Sequence, residues 1–154
     1  MMNARQLSRK EEKEILNSLR EQYGIEIKEK FLWFESGKGR IWILNKNVDV
    51  NEFKKLRIEF FGVYVAFKER DGIRLTIEGS QILGKSAKKN VLEINEEEME
   101  KWLRGYELET KENIHGYVII KNKNDFAGCG KVKNGKVLNM IPKARRIISL
   151  RLRK

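Results

Sequence analysis

Cysteine and histidine occur once each in the 154 residues, as Cys129 and His115, and proline occurs once, as Pro142. A single thiol forms no intrachain disulfide, and one Cys with one His cannot supply the ligands of a four-coordinate structural zinc site. No apolar run approaches the roughly 18–20 residues that a membrane span requires. Met1-Met2-Asn3-Ala4-Arg5 lacks the apolar core of a signal peptide. The expectation is a soluble, cytoplasmic protein with no membrane partner, no metal and no cofactor. No acid, base or nucleophile stands at a recognisable spacing from His115 or Cys129, so catalytic residues are not expected either.

What the chain has in quantity is charge. Charged residues make up 36% of it, hydrophobic residues 40%, and the formal net charge is +11. The excess is concentrated. From Asn113 to Lys154 there are eleven Lys or Arg and one acid, Asp125. A strongly basic stretch on a short, glycine-punctuated, β-rich scaffold calls for an anionic partner, and RNA is the first candidate.

Along the chain, Ser8 with Glu11 three residues on has the spacing of a capping box. Ile15, Leu16, Leu19 and Tyr23 follow at helical spacing, and Gly24 stands at the C-cap position, which predicts an amphipathic helix over 8–23. Phe31–Glu35 and Arg40–Leu44, separated by Ser36-Gly37-Lys38-Gly39, predict a hairpin. Asp49 is expected to cap a short helix to about Leu56, and Ile58–Phe67 and Ile73–Ile77 to form strands joined at Asp71-Gly72, with a bulge or close approach at Gly62. The segment Gly84–Asn90 contains no large apolar residue and separates two halves of different composition, so a domain boundary is expected at 85/86. Beyond it come a strand at Val91–Ile94, a helix from Glu96 to about Arg104 capped by Asn95, and strands at Tyr117–Ile120, Phe126–Val132, Lys136–Leu138 and Ile147–Leu152, with a tight Asn134-Gly135 turn. Within about 65 residues this pattern gives a small, partly open barrel with a helix at one end.

The order strand, acidic helix ending Arg104-Gly105, Gly116-Tyr117-Val118-Ile119-Ile120 and Gly128-Cys129-Gly130-Lys131 resembles a PUA domain. Phe61-Gly62-Val63-Tyr64-Val65-Ala66-Phe67, then Ile73-Arg74-Leu75 and the linker, is similar to the pre-PUA domain of archaeal and eukaryotic ribosome-biogenesis factors of the large subunit. Gly128-Cys129-Gly130-Lys131 and Leu138 to Arg146 also resemble the RNA-binding tail of Sun-type RNA cytosine-5 methyltransferases. The resemblance implies an α+β protein, with a pre-PUA-like domain over 1–85 and a PUA pseudo-barrel over 86–154. It implies a partner RNA, rRNA or tRNA, and an RNA-modification enzyme or ribosome-assembly factor as a protein partner. Nothing in the chain matches the catalytic cysteines or cofactor loop of those methyltransferases, so methyl transfer is not expected of it.

The candidate phosphate contacts are Lys131, Lys133, Lys136, Lys143, Arg145 and Arg146, joined by Arg104 and Lys111 because PUA domains hold RNA against the helix and its following loop. Lysine and arginine position the RNA backbone, and the planar Arg145 and Arg146 can also pair bidentately or stack. Cys129 is expected as a buried, inert thiol between two glycines that permit close backbone approach. Trp33, Trp42 and Trp102 are expected in the core, and Glu96, Glu97, Glu98 and Glu100 as partners of the helix dipole, not metal ligands. Gly37-Lys38-Gly39 lacks the spacing of a phosphate loop and is expected as a turn.

Overall fold

A computed structural model describes residues 4–45 and 62–147. The expected helix over 49–56, the first residues of the strand at 58–67 and all but the first residue of the strand at 147–152 lie outside the described residues. Among those described, the chain is α+β: two five-stranded sheets with three α-helices.

The first sheet is an antiparallel meander of β1 (Ala4–Gln6), β2 (Phe31–Ser36), β3 (Arg40–Asn45), β4 (Val63–Glu69) and β5 (Gly72–Leu75). Helix α1 (Arg9–Tyr23) begins with the capping box that Ser8 and Glu11 predict, both hydrogen bonds being present. It ends at Gly24, whose left-handed backbone (φ 66°) turns the chain out of the helix. Its apolar stripe buries Ile15, Leu19 and Tyr23. The irregularity expected at Gly62 lies instead within β4: Ile41 faces Ala66 while Trp42 faces Tyr64, so Val65 is the extra residue.

The alternation at 73–77 ends earlier than expected. Thr76 breaks it by accepting a hydrogen bond from the Gly79 amide, and Ile77–Leu83 forms a second helix, α2. Glycine at 79 is a packing requirement, because a Cβ there would lie 1.8 Å from the Val65 carbonyl oxygen. The same helix buries Ser80, whose hydroxyl donates to the Ile77 carbonyl and accepts from the Gly128 amide. A 3-10 turn over Gly84–Ser86 follows, and the next residues are fastened to the end of α1: the Lys88 and Lys89 amides both donate to the Tyr23 carbonyl, and the Asn90 side chain donates to that of Gln22.

The second sheet has the order β6 (Val91–Glu93), β8 (Gly116–Asn122), β9 (Asp125–Lys133), β10 (Lys136–Asn139), β7 (Leu108–Glu109). Only β6–β8 is parallel, and α3 (Glu96–Leu103) lies in that crossover. Asn95 and Glu98 form its capping box, with three glutamates in the first turn. Asn134 and Gly135 both adopt positive φ, 52° and 78°, as the tight hairpin between β9 and β10 demands.

Alternation along β8 and β9 divides the apolar residues between two cores. Tyr117, Ile119 and Cys129 join the cluster built from α1 and the inner face of the first sheet. Val118, Ile120, Val132 and Val137 face the other way, onto Trp102 of α3. The second sheet therefore packs on both faces, and its outer strands and turns carry what it presents to solvent.

Candidate nucleic-acid interface

The sequence crowds cations into 113–147, and the fold sorts them. Lys131 reaches across to Asp71 in a 2.7 Å ion pair and lies 5.4 Å from the centre of the Tyr117 ring. Tyr117 in turn donates to Asp71 and Glu69 at 2.9 and 3.0 Å. Lys131 and Tyr117 hold the Asp71 carboxyl below the usual aspartate range. Burial and the adjoining carboxylates push the Tyr117 hydroxyl upward, so it stays a donor. Lys131 is thus a bond between the two sheets.

Arg145 is paired as well. Its guanidinium makes two hydrogen bonds to Glu78, at 3.1 and 2.6 Å, and holds that carboxyl below its ordinary value. Arg146 turns inward. Its Nε donates to the Ile141 carbonyl at 3.0 Å, and its stem lies so close over Gly105 that a Cβ there would sit 2.5 Å from Arg146 Cδ. Lys123 pairs with Glu96 at 3.5 Å, and Lys121 lies over the Phe126 ring.

Lys133, Lys136, Lys143 and Lys111 remain, all exposed and with side chains that, among the described residues, make no ion pair, hydrogen bond or ring contact. Three of these come together. Lys133 and Lys136 are direct cross-strand partners flanking Asn134-Gly135. The Thr110 amide donates to the Gly135 carbonyl at 2.9 Å, which sets Lys111 beside the same turn. Lys133 and Lys136 repel across the ladder, while on its other side Lys136 faces Glu109 of β7 without an ion pair among the described residues.

Further along β10, Asn139 donates to the Trp102 and Tyr106 carbonyls and fixes the exit of α3 against the strand. Arg104 stands there with its guanidinium 5.7 Å from the centre of the Tyr106 ring, and Tyr106 is 53% exposed. Tyr106 is absent from the sequence-level candidates, and its signal was local: an aromatic directly after the helix-ending Arg104-Gly105. A planar cation beside an exposed ring offers a nucleobase a stacking surface. Lys143 sits in the 3-10 turn Lys143–Arg145, apart from the three lysines of the β9–β10 turn.

The cysteine and tryptophan candidates are structural. Cys129 is buried, takes a hydrogen bond from the Leu75 amide and has its thiol pushed up to about 11 by burial. Trp33 and Trp102 are in the cores, Trp102 donating to the Ala127 carbonyl at 2.9 Å. Trp42 is half-buried against Tyr64, ring centroids 5.2 Å apart. The close approach at Gly130 is that of Val137 and Trp102, whose atoms would lie 2.6 and 2.8 Å from a Cβ there. His115 is exposed in the loop before β8. Among the described residues, no three His, Cys, Asp or Glu side chains gather as metal ligands would, and no helix is long and apolar enough to cross a membrane.

No curated protein matches the chain. Residues 89–147, from the approach to β6 to just beyond the second 3-10 turn, match the family model described as the methyltransferase RsmF PUA domain, and over that segment the protein carries a PUA domain similar to that of the Sun-type methyltransferases.

Proposed function

We propose that the protein is a non-catalytic RNA-binding protein that holds structured RNA, rRNA or tRNA, in ribosome biogenesis or RNA modification. The observation that carries this reading is the match of 89–147 to a PUA domain, whose β7 and β9–β10 end gathers Lys111, Lys133 and Lys136 with no side-chain partner among the described residues. These lysines take backbone phosphates, while Arg104 and Tyr106 take an adjoining base or phosphate. Residues 86–154 form the RNA-binding PUA domain and 1–85 a pre-PUA-like domain that offers a second, protein-facing or RNA-facing surface.

A second role follows from the kind of protein whose model matches. A PUA domain of methyltransferase type suits an accessory subunit that delivers RNA to a separate modification enzyme. Co-purification of a catalytic chain with the protein distinguishes this role from that of a solitary binder. The RNA reading itself is tested by titrating tRNA and rRNA fragments at increasing salt. Counterion release makes the affinity fall steeply, and an affinity unchanged from about 50 to 200 mM salt would contradict the reading.

A further inference from the structure

A second group of cations lies away from the lysine turn. Arg40, Phe67 and Arg74 are successive cross-strand partners on β3, β4 and β5, so they form a row across the first sheet. Their end of the sheet opens into a cleft of about 220 Å³, closed on the other side by Met140, Ile141, Pro142 and Arg145. Arg74 lies 5.4 Å from the centre of the Phe67 ring and against the Tyr64 hydroxyl, and its Nε is buried with no hydrogen-bond partner among the described residues. Its nearest carboxylate, Glu69, is 3.9 Å from the far end of the guanidinium. Arg40 is exposed and makes no ion pair among the described residues. Among the described residues on the lining, the one acid, Glu78, is already taken by Arg145.

A buried guanidinium donor without an acceptor is costly, and an oxyanion that presents two oxygens to parallel N–H bonds relieves it. Two oxygens of a tetrahedral phosphate do this. The cleft is also several times the volume share of one water, about 30 Å³, and the Tyr64 ring, Met140, Ile141 and Pro142 supply aromatic and apolar surface. Arg40, Arg74 and the Tyr64 ring on the first sheet, facing an apolar wall of Met140, Ile141 and Pro142, suit a nucleotide better than an isolated inorganic anion.

We propose that this cleft takes a single nucleotide unit, its phosphate on Arg40 and Arg74 and its base against Tyr64 and Met140. The proposal rests on the RNA reading above and adds a second contact: the lysine turn holds backbone phosphates, and the cleft captures one terminal or flipped-out nucleotide of the same RNA. Arg145 sits at the rim, where a phosphate competes with Glu78 for it.

The test is NMR titration of the full chain with adenosine 5′-monophosphate, with inorganic phosphate and with a short single-stranded RNA, following the Arg74 Nε–H and Met140 methyl signals. The nucleotide and the RNA should both move these signals, and inorganic phosphate should bind more weakly than the nucleotide. Arg40→Gln, at an exposed position that leaves the fold intact, should weaken both by about tenfold, as loss of one charge-assisted contact does. Lys111, Lys133 and Lys136 changed to Gln should weaken the RNA and spare the nucleotide. Silent Arg74 and Met140 signals, or equal nucleotide binding by Arg40→Gln and the parent, overturn the cleft. If RNA still binds through the lysine turn in that case, the RNA reading survives without it. Nucleotide binding by a chain that takes no RNA would overturn both the RNA reading and this assignment, leaving free nucleotide as the ligand.

Discussion

Two groups of cations that look alike in the sequence differ in the fold. Lys131, Arg145 and Arg146 are held by Asp71, Glu78 and the Ile141 carbonyl, and they fasten the second sheet and the chain after β10 to the rest of the protein. Lys111, Lys133 and Lys136 stand around the Asn134-Gly135 turn and have no such partners among the described residues. A basic stretch measures the charge available for a partner only after subtraction of what the fold uses. The first group should therefore answer to mutation chiefly in stability, and the second chiefly in binding.

The contact that positions the first group gives the largest expected effect. Gly79→Ala would push a methyl into the Val65 carbonyl, lift α2 from β4 and carry Glu78 away from Arg145. A loss of about 3 kcal/mol or more is expected in denaturant unfolding, at the upper end of overpacking costs. A wild-type midpoint would show that α2 is free to move and that the Arg145 pair is incidental.

Arg146→Ala removes the hydrogen bond to Ile141 and the stem packed over Gly105. About 1–2 kcal/mol of stability should be lost, with little change in the salt dependence of RNA binding. A changed salt slope with an unchanged melting temperature would move Arg146 into the RNA-facing group.

The Arg145–Glu78 pair is partly exposed, its side chains 49% and 37% accessible, so solvent screening limits either single substitution to about 0.5 kcal/mol. Its sign with pH is fixed. Glu78 has a depressed value in the folded protein, so its contribution is present above the ordinary glutamate pKa, about 4.3, and is lost as pH falls through the lower folded value. Glu78→Gln should flatten the acid limb of the stability profile slightly. An unchanged limb would mean the pair does not persist in solution. Glu11, held down to about 2 by Arg5 and the Ser8 cap, contributes to the same acid limb and should be measured alongside.

Much of this architecture was legible locally. The Ser8–Glu11 and Asn95–Glu98 boxes, Gly24 and Asn134-Gly135 are short-range devices, and each marks the boundary it predicts. Helix α2 was not legible, because Ile73 to Ile77 alternates like a strand and Gly79 and Ser80 are poor helix formers. Only the closeness of Val65 and Gly128, distant in sequence, accounts for those two residues. The site divides in the same way. The sequence shows where lysine and arginine are abundant. The partners that occupy Lys131 and Arg145 lie 60 and 67 residues away, at Asp71 and Glu78, and the half-buried Arg74 belongs to the half with the smaller net charge.

The most direct measurement compares two triple variants in salt-titrated RNA binding: Lys111, Lys133 and Lys136 changed to Gln, against Lys131, Arg145 and Arg146 changed to Gln. Each phosphate-contacting lysine removed should lower the salt slope by about one. The first variant should therefore lose about three units of slope and more than about tenfold in affinity at low salt, at an unchanged melting temperature. The second should melt lower and, while folded, keep most of its slope. The opposite pattern, slope lost in the second and kept in the first, would contradict the division of cations on which the account rests.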